Sequence, residues 1–233
     1  MPPASATAKR TAPARHRATA PEAKSERRAA ILQAAVGLLR EAPLGVFSVE
    51  ALAQRAGLAK GTVYLYFGTR EEVLLAVHAE RAQLLFDVIE RALAAPKADT
   101  RRIARTVVRH LKDHPEFLPL AATCRGMLET NIGVDTALAF KRAVGARLVQ
   151  LGARVEMLYP RLPHGQGVAL LMASYGLMLG LWQIAEPPEC LAPAMALPEM
   201  RAFRIDFDTQ LSAALVNLWE GATRRPARKA RHR

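Results

Sequence analysis

Ser48-Val49-Glu50-Ala51-Leu52-Ala53-Gln54-Arg55-Ala56-Gly57-Leu58-Ala59-Lys60-Gly61-Thr62-Val63-Tyr64-Leu65-Tyr66-Phe67-Gly68-Thr69-Arg70 is the stretch on which the fold turns. Ser48 suits a helix N-cap, and Glu50 falls in the first turn, where a carboxylate complements the macrodipole. A helix over 49–56 is then broken by Gly57, and a second short helix follows over about 60–67. Gly68-Thr69 closes it, with Thr69 placed to cap a long helix from Arg70 to about Ala94. Two short helices joined by a three- to four-residue glycine turn make a helix-turn-helix, whose second helix can enter a DNA major groove. Leu52, Ala53, Ala56, Leu58, Val63 and Phe67 supply the small core that sets the interhelical angle. Lys60, Gly61, Thr62, Tyr64 and Tyr66 are left to point outward. Their chemistry suits a DNA-facing surface. The ammonium and phenol hydroxyls fit phosphates, the threonine fits a base edge or methyl, and the glycine lets the backbone lie close.

Upstream, Ile31, Leu32, Ala35, Leu38 and Leu39 share one helical face, with Ser25 as N-cap, and 42–45 ends that helix. Downstream, helices are expected over 100–113, 116–130, 134–159, 162–186 and 200–220, separated by proline and glycine. Val144, Leu148, Leu151, Val155 and Leu158 form a buried stripe in the third of these. No alternating run bounded by hairpin turns occurs, so the expected class is all-α: an N-terminal three-helix helix-turn-helix domain followed by a helical bundle. The segment 168–185 lacks charge and approaches membrane-spanning length. Ser174 and Gln183 interrupt it, no second such span exists, and neither flank carries a basic cluster or aromatic belt. A helix buried in a bundle or subunit interface is the reading preferred over a membrane span. Gly176 and Gly180, spaced G-x-x-x-G, would allow a close helix approach there.

The 233 residues carry a net charge of +12 and are 51% hydrophobic, enough apolar material for a sizeable core. Residues 1–28 hold +5 and residues 221–233 hold +6, which leaves +1 for everything between. Such a balance favours an anionic partner, nucleic acid or a membrane surface, without choosing between them. Residues 1–24 lack large apolar side chains after Met1 and read as a disordered basic arm. The expected organisation is that arm, a DNA-binding domain over 25–69, a regulatory and dimerisation domain over 70–220, and a basic tail over 221–233. Cys124 and Cys190 cannot build a disulfide scaffold, and no secretory signal is present, so a cytoplasmic location is expected.

Lys60-Gly61-Thr62-Val63-Tyr64-Leu65-Tyr66-Phe67 followed by Gly68-Thr69-Arg70-Glu71-Glu72-Val73-Leu74 resembles the DNA-binding signature of TetR/AcrR-type transcriptional regulators. Ala34-Ala35, Phe47-Ser48-Val49 and Ala53-Gln54-Arg55-Ala56-Gly57 are similar to it too, so the likeness spans about residues 25–75. The resemblance implies that Lys60, Gly61, Thr62 and Tyr64 face the groove, that Ser48 and Tyr66 meet phosphates, and that Arg70 stands where the family places a basic residue. Two departures are visible. Ala59 replaces the polar residue usual at the recognition-helix cap, and Glu50 puts a negative charge near the DNA-facing start of the second helix.

The resemblance further implies a homodimer reading a pseudo-palindromic operator in double-stranded DNA. Gly176, Gly180, Phe203, Phe207, Leu211, Ala214 and Leu218 are the interface candidates, with an intramolecular core as the alternative. It also implies a small-molecule effector within the body. Phe117, Cys124, Met127, Met157, Met172, Tyr175, Met178 and Trp182 are the candidate lining, although the same residue types build an ordinary core. Arg125, Glu129 and Asn131 could face that cavity or the solvent.

An enzyme is not expected. The six histidines are scattered, no H-E-x-x-H, C-x-x-C or phosphate-binding glycine loop occurs, and neither cysteine has an activating neighbour. His110 and His114, spaced i, i+4, would form at most half a metal site, so no metal and no cofactor is implied. The resulting expectation is a DNA-binding regulator, a repressor released by its effector. Two alternatives stand beside it: a protein of the same fold without ligand response, and a basic-tailed helical protein at a membrane.

Overall fold

A computed structural model describes residues 20–42, 47–96, 98–123, 131–187 and 189–224. Cys124, Arg125, Met127 and Glu129 lie outside the described residues, as do 1–19 and 225–233. Every regular element among the described residues is helical: α1 (Ala20–Glu41), α2 (Val49–Ala56), α3 (Lys60–Tyr64), α4 (Arg70–Ala94), α5 (Thr100–Asp113), α6 (Phe117–Thr123), α7 (Val134–Leu158), α8 (Gln166–Ala185), α9 (Ala192–Met195) and α10 (Phe207–Arg224). Short 3-10 turns over Glu189–Leu191 and Pro198–Phe203 flank α9.

Several boundaries differ from the expectation, each for a local reason. Helix α1 begins at Ala20, so Ser25 lies inside it, and Lys24 is helical rather than part of an arm. Pro21 and Glu22 occupy its first turn, where a proline loses no hydrogen bond and a carboxylate faces the positive helix end. Helix α3 stops at Tyr64, three residues early, and α10 begins at Phe207 because Pro198–Phe203 forms its own 3-10 turn. At its far end α10 continues to Arg224, past the expected start of the tail.

Two cores hold these helices. Ile31, Leu32, Ala35 and Leu39 of α1 pack with Leu52, Val63, Phe67, Val73 and Val77 in the N-terminal core. The turn between α2 and α3 is made by Gly57 at φ +67°, a left-handed conformation that a side chain would strain. There the amides of Gly57 and Leu58 return to the carbonyls of Gln54 and Ala53. Thr69 caps α4, its hydroxyl oxygen accepting from the Glu72 amide at 3.1 Å while Glu72 accepts from the Gly68 amide at 2.8 Å.

The second core joins α4, α5, α7, α8 and α10 around Leu85, Ile89, Ile103, Val107, Leu151, Val155, Leu170, Leu211 and Leu215. The expected α7 stripe is there: Leu151 and Val155 are buried, and Val144, Leu148 and Leu158 pack against the same cluster. Helices α7 and α8 cross at Gly152 and Gly167, where a Cβ on Gly167 would collide with the Gly152 carbonyl. Ser174, which interrupts the apolar run of α8, is buried and satisfied. Its Oγ accepts from Trp219 Nε1 at 2.9 Å and donates to the Leu170 carbonyl at 2.8 Å.

Helix α6 belongs to both cores. Phe117 and Leu118 pack into the body, and Leu120 packs into the N-terminal core.

Candidate nucleic-acid interface and effector cavity

Ser48 caps α2 by accepting from the Ala51 amide at 3.1 Å. Its own hydroxyl proton is not consumed by that bond, and the side chain sits at the surface. Ala59 gives α3 no side-chain cap, as its identity requires. Lys60, Gly61 and Tyr64 are exposed along α3, with Tyr64 46% exposed and open space around Gly61. Thr62 is half-buried.

Tyr66 departs from the expectation. Because α3 ends at Tyr64, Tyr66 falls in the following turn, where its ring packs partly against the N-terminal core. Leu65, which is not among the expected contacts, is 81% exposed at the end of α3. A leucine beside outward Tyr64, off the apolar face of the motif, is the sequence signal that singles it out.

The basic side chains around this surface are paired. Lys60 Nζ meets Glu50 Oε1, Arg55 meets Glu41 at 2.7 Å, and Arg70 meets Glu71 at 2.6 Å. The Lys60 hydrogen bond holds the Glu50 carboxyl below its usual range, and Glu50 in turn raises the Lys60 ammonium. Arg28 of α1 lies 5.2 Å from the Phe67 ring centroid and packs α1 over the end of the motif.

Within the body, a cavity of about 720 Å³ runs between α4, α5, α7, α8 and α10. Four of the expected lining residues, Phe117, Met172, Tyr175 and Met178, line it. Met157 does not: it is 79% exposed on the outer face of α7, because the inward stripe of that helix runs through Leu151 and Val155. Trp182 packs against the body core on α8 without lining the cavity, and the indole that does is Trp219 of α10. Sequence reasoning missed the α4 and α5 wall, built from His78, Leu85, Phe86, Ile89, Ile103 and Val107. These residues repeat with helical spacing, but a cavity wall and a packed core share that signature. His78 stacks on Phe117 with ring centroids 5.4 Å apart, which places α6 at one end of the cavity.

Beyond Phe117 lies a buried charge cluster. Glu116 is fully buried, with Arg81 of α4 at 2.6 Å and Arg40 of α1 at 3.1 Å. Arg40 also donates to the Asp113 carbonyl at 3.1 Å, so the end of α1 is tied to the α5–α6 turn. Burial pushes the Glu116 carboxyl up, but its own backbone amide and the two guanidiniums outweigh this and hold it below the usual range. His110 and His114 have ring centroids 4.4 Å apart. Burial, and then the neighbouring His114, lowers the His110 pKa to about 4, so that ring is neutral at ordinary pH. Among the described residues no three metal-ligating side chains gather.

The expected interface residues divide. Gly176 is exposed and Gly180 half-buried, and a Cβ on either would meet nothing. Phe203 is 59% exposed, in the 3-10 turn rather than on the last helix. Ala214 and Leu218 are half-buried, and Phe207 packs partly against the body core. Leu211 is a correction: it is fully buried, because the inward face of α10 runs Leu211, Leu215, Trp219 at steps of four. Helix α8 is the one described helix long and apolar enough to cross a membrane, and Gly167, Leu170, Leu171, Ser174 and Met178 are its buried residues. Its other residues are half-buried or open.

Comparison with known proteins agrees with this geometry. Residues 31–77 match "Bacterial regulatory proteins, tetR family", and residues 79–226 match "Tetracyclin repressor-like, C-terminal domain". The HTH-type transcriptional regulator EthR of Mycobacterium tuberculosis is 40% identical over 88 residues, 38% of this chain and 40% of that protein. The EthR of Mycolicibacterium smegmatis is 34% identical over 150 residues, 57% of this chain and 68% of that protein. The M. tuberculosis relative is thus matched over well under half its length. A crystal structure of the TetR-family regulator PfmR from Thermus thermophilus shares the fold, with a TM-score of 0.52 at 20% identity over 82% of this chain and 97% of that one. The two domain matches cover most of the chain without a break in order, and the chain belongs to the TetR family of transcriptional regulators.

Proposed function

We propose that the protein is a repressor that binds a pseudo-palindromic operator as a homodimer and leaves it when an effector fills the body cavity. The observation that carries this reading is the exposed face of α3, with Lys60, Gly61 and Tyr64 outward on a helix held by a buried core. Thr62 and Leu65 complete the base-reading surface, and Ser48 supplies a hydroxyl to phosphate. Arg70, paired with Glu71, adds its charge only after exchanging that partner. Dimerisation is supported by the uncovered side of α8, where Ala173, Gly176 and Ile184 lie open, together with Phe203. That surface is the place for a second copy, and the same reading locates the protein in the cytoplasm. The cavity volume falls within the range of ordinary small-molecule sites.

Footprinting on the DNA upstream of its own gene tests the proposal. A protected inverted repeat is expected, and protection without sequence preference would overturn it. Ile184→Asp should convert a dimer to a monomer by light scattering and lose the footprint with it. A variant that stays dimeric would move the interface elsewhere.

A further inference from the structure

The recognition surface is electrostatically self-contained. Residues 47–72 hold three basic side chains, Arg55, Lys60 and Arg70, and three acidic ones, Glu50, Glu71 and Glu72. Each of the three cations is already held by a carboxylate, from Glu41, Glu50 and Glu71 respectively. The Lys60–Glu50 pair is the one that spans α2 and α3, on side chains that are both at least half exposed. Among these described residues, the motif therefore offers a phosphate no free cation on its outward face.

We propose that Glu50 is a specificity-setting residue, a carboxylate that taxes binding to arbitrary DNA; this rests on the DNA-binding reading above. A phosphate that takes Lys60 must displace Glu50, and the released carboxylate then faces a polyanion. The charge-assisted bond lost and the bond gained are of the same kind, so the exchange returns little on its own. The balance tips only where the duplex offers the carboxylate a donor, as the cytosine amino group does in the major groove. Random sequence supplies that donor by chance; an operator supplies it by design. Glu50 thus lowers non-specific affinity and leaves discrimination to the groove.

The test uses the full-length protein and a random-sequence duplex across a salt series. Glu50→Gln keeps the shape and removes the charge. It should tighten random binding about two- to fivefold at low salt, and it should steepen the log K against log salt slope by up to about 0.9, one phosphate contact's worth. Glu199→Gln, an equal charge change in the exposed 3-10 turn, is the control and should move neither. Equal effects from both variants, or weaker binding by Glu50→Gln, would overturn the proposal while leaving the DNA-binding reading intact. Failure of the unaltered protein to bind any duplex at low salt would overturn both.

Discussion

The surface around Lys60 and the junction around Glu116 use the same chemistry, a carboxylate against a cation, in opposite surroundings. The Lys60–Glu50 pair stands in solvent, where water competes for both partners. The Glu116 carboxylate is fully buried against the buried Arg81 guanidinium, with the partly exposed Arg40 on its other side. Removing the carboxylate would strand the Arg81 charge in a dry interior. The first pair is exchangeable, which suits a surface that must trade a carboxylate for a phosphate. The second is fixed, which suits a joint between α1, α4 and α6 that must hold its angle. Burial, rather than the identity of the charges, assigns the role.

That contrast can be broken in order of size. Glu116→Ala leaves Arg81 buried without its partner and should cost about 3–5 kcal/mol by denaturant unfolding. Glu50→Gln should leave the unfolding midpoint unmoved, and comparable losses from the two would erase the distinction.

Next comes pH. The His110 pKa falls to about 4 in the folded chain from 6.5, so folding favours the neutral ring. Its contribution is complete above pH 6.5 and declines as pH falls toward 4, by about 3 kcal/mol in all. His110→Leu should flatten stability across that window. The depressed Glu116 carboxyl acts from the acid end of that window downward, its contribution lost as pH falls under the usual glutamate value. The smallest effect belongs to Ser48→Ala, which removes the α2 cap and should cost about 1 kcal/mol. It should weaken DNA binding through the lost phosphate hydroxyl as well, separating it from a cap substitution away from the interface.

How far the sequence can be read follows the range of the interactions involved. The α2 cap, the Gly57 turn and the Thr69 cap are made by residues within five positions of one another, and all three stand where the local pattern puts them. Tyr66 differs from its expected place because α3 ends two residues before it, so its ring lies in the following turn and packs partly against the core. Leu211 differs because α10 carries apolar residues on more than one face, and only packing against α5 and α8 selects the buried one. The cavity wall is illegible for another reason: Leu85, Ile89 and Val107 have the same pattern whether they enclose space or fill it. Arg40 and Glu116, 76 positions apart, are joined only by the fold.

Leu120 carries a consequence for anyone who would divide this chain. The two regions recognised in sequence meet between residues 77 and 79, and that seam invites expression of the reading head alone. Yet Leu120, 3% exposed, fills part of the N-terminal core from the far side of the seam. A fragment ending at the seam would carry an open socket lined by its own apolar side chains. The boundary that a sequence comparison draws is therefore not a boundary at which the protein comes apart.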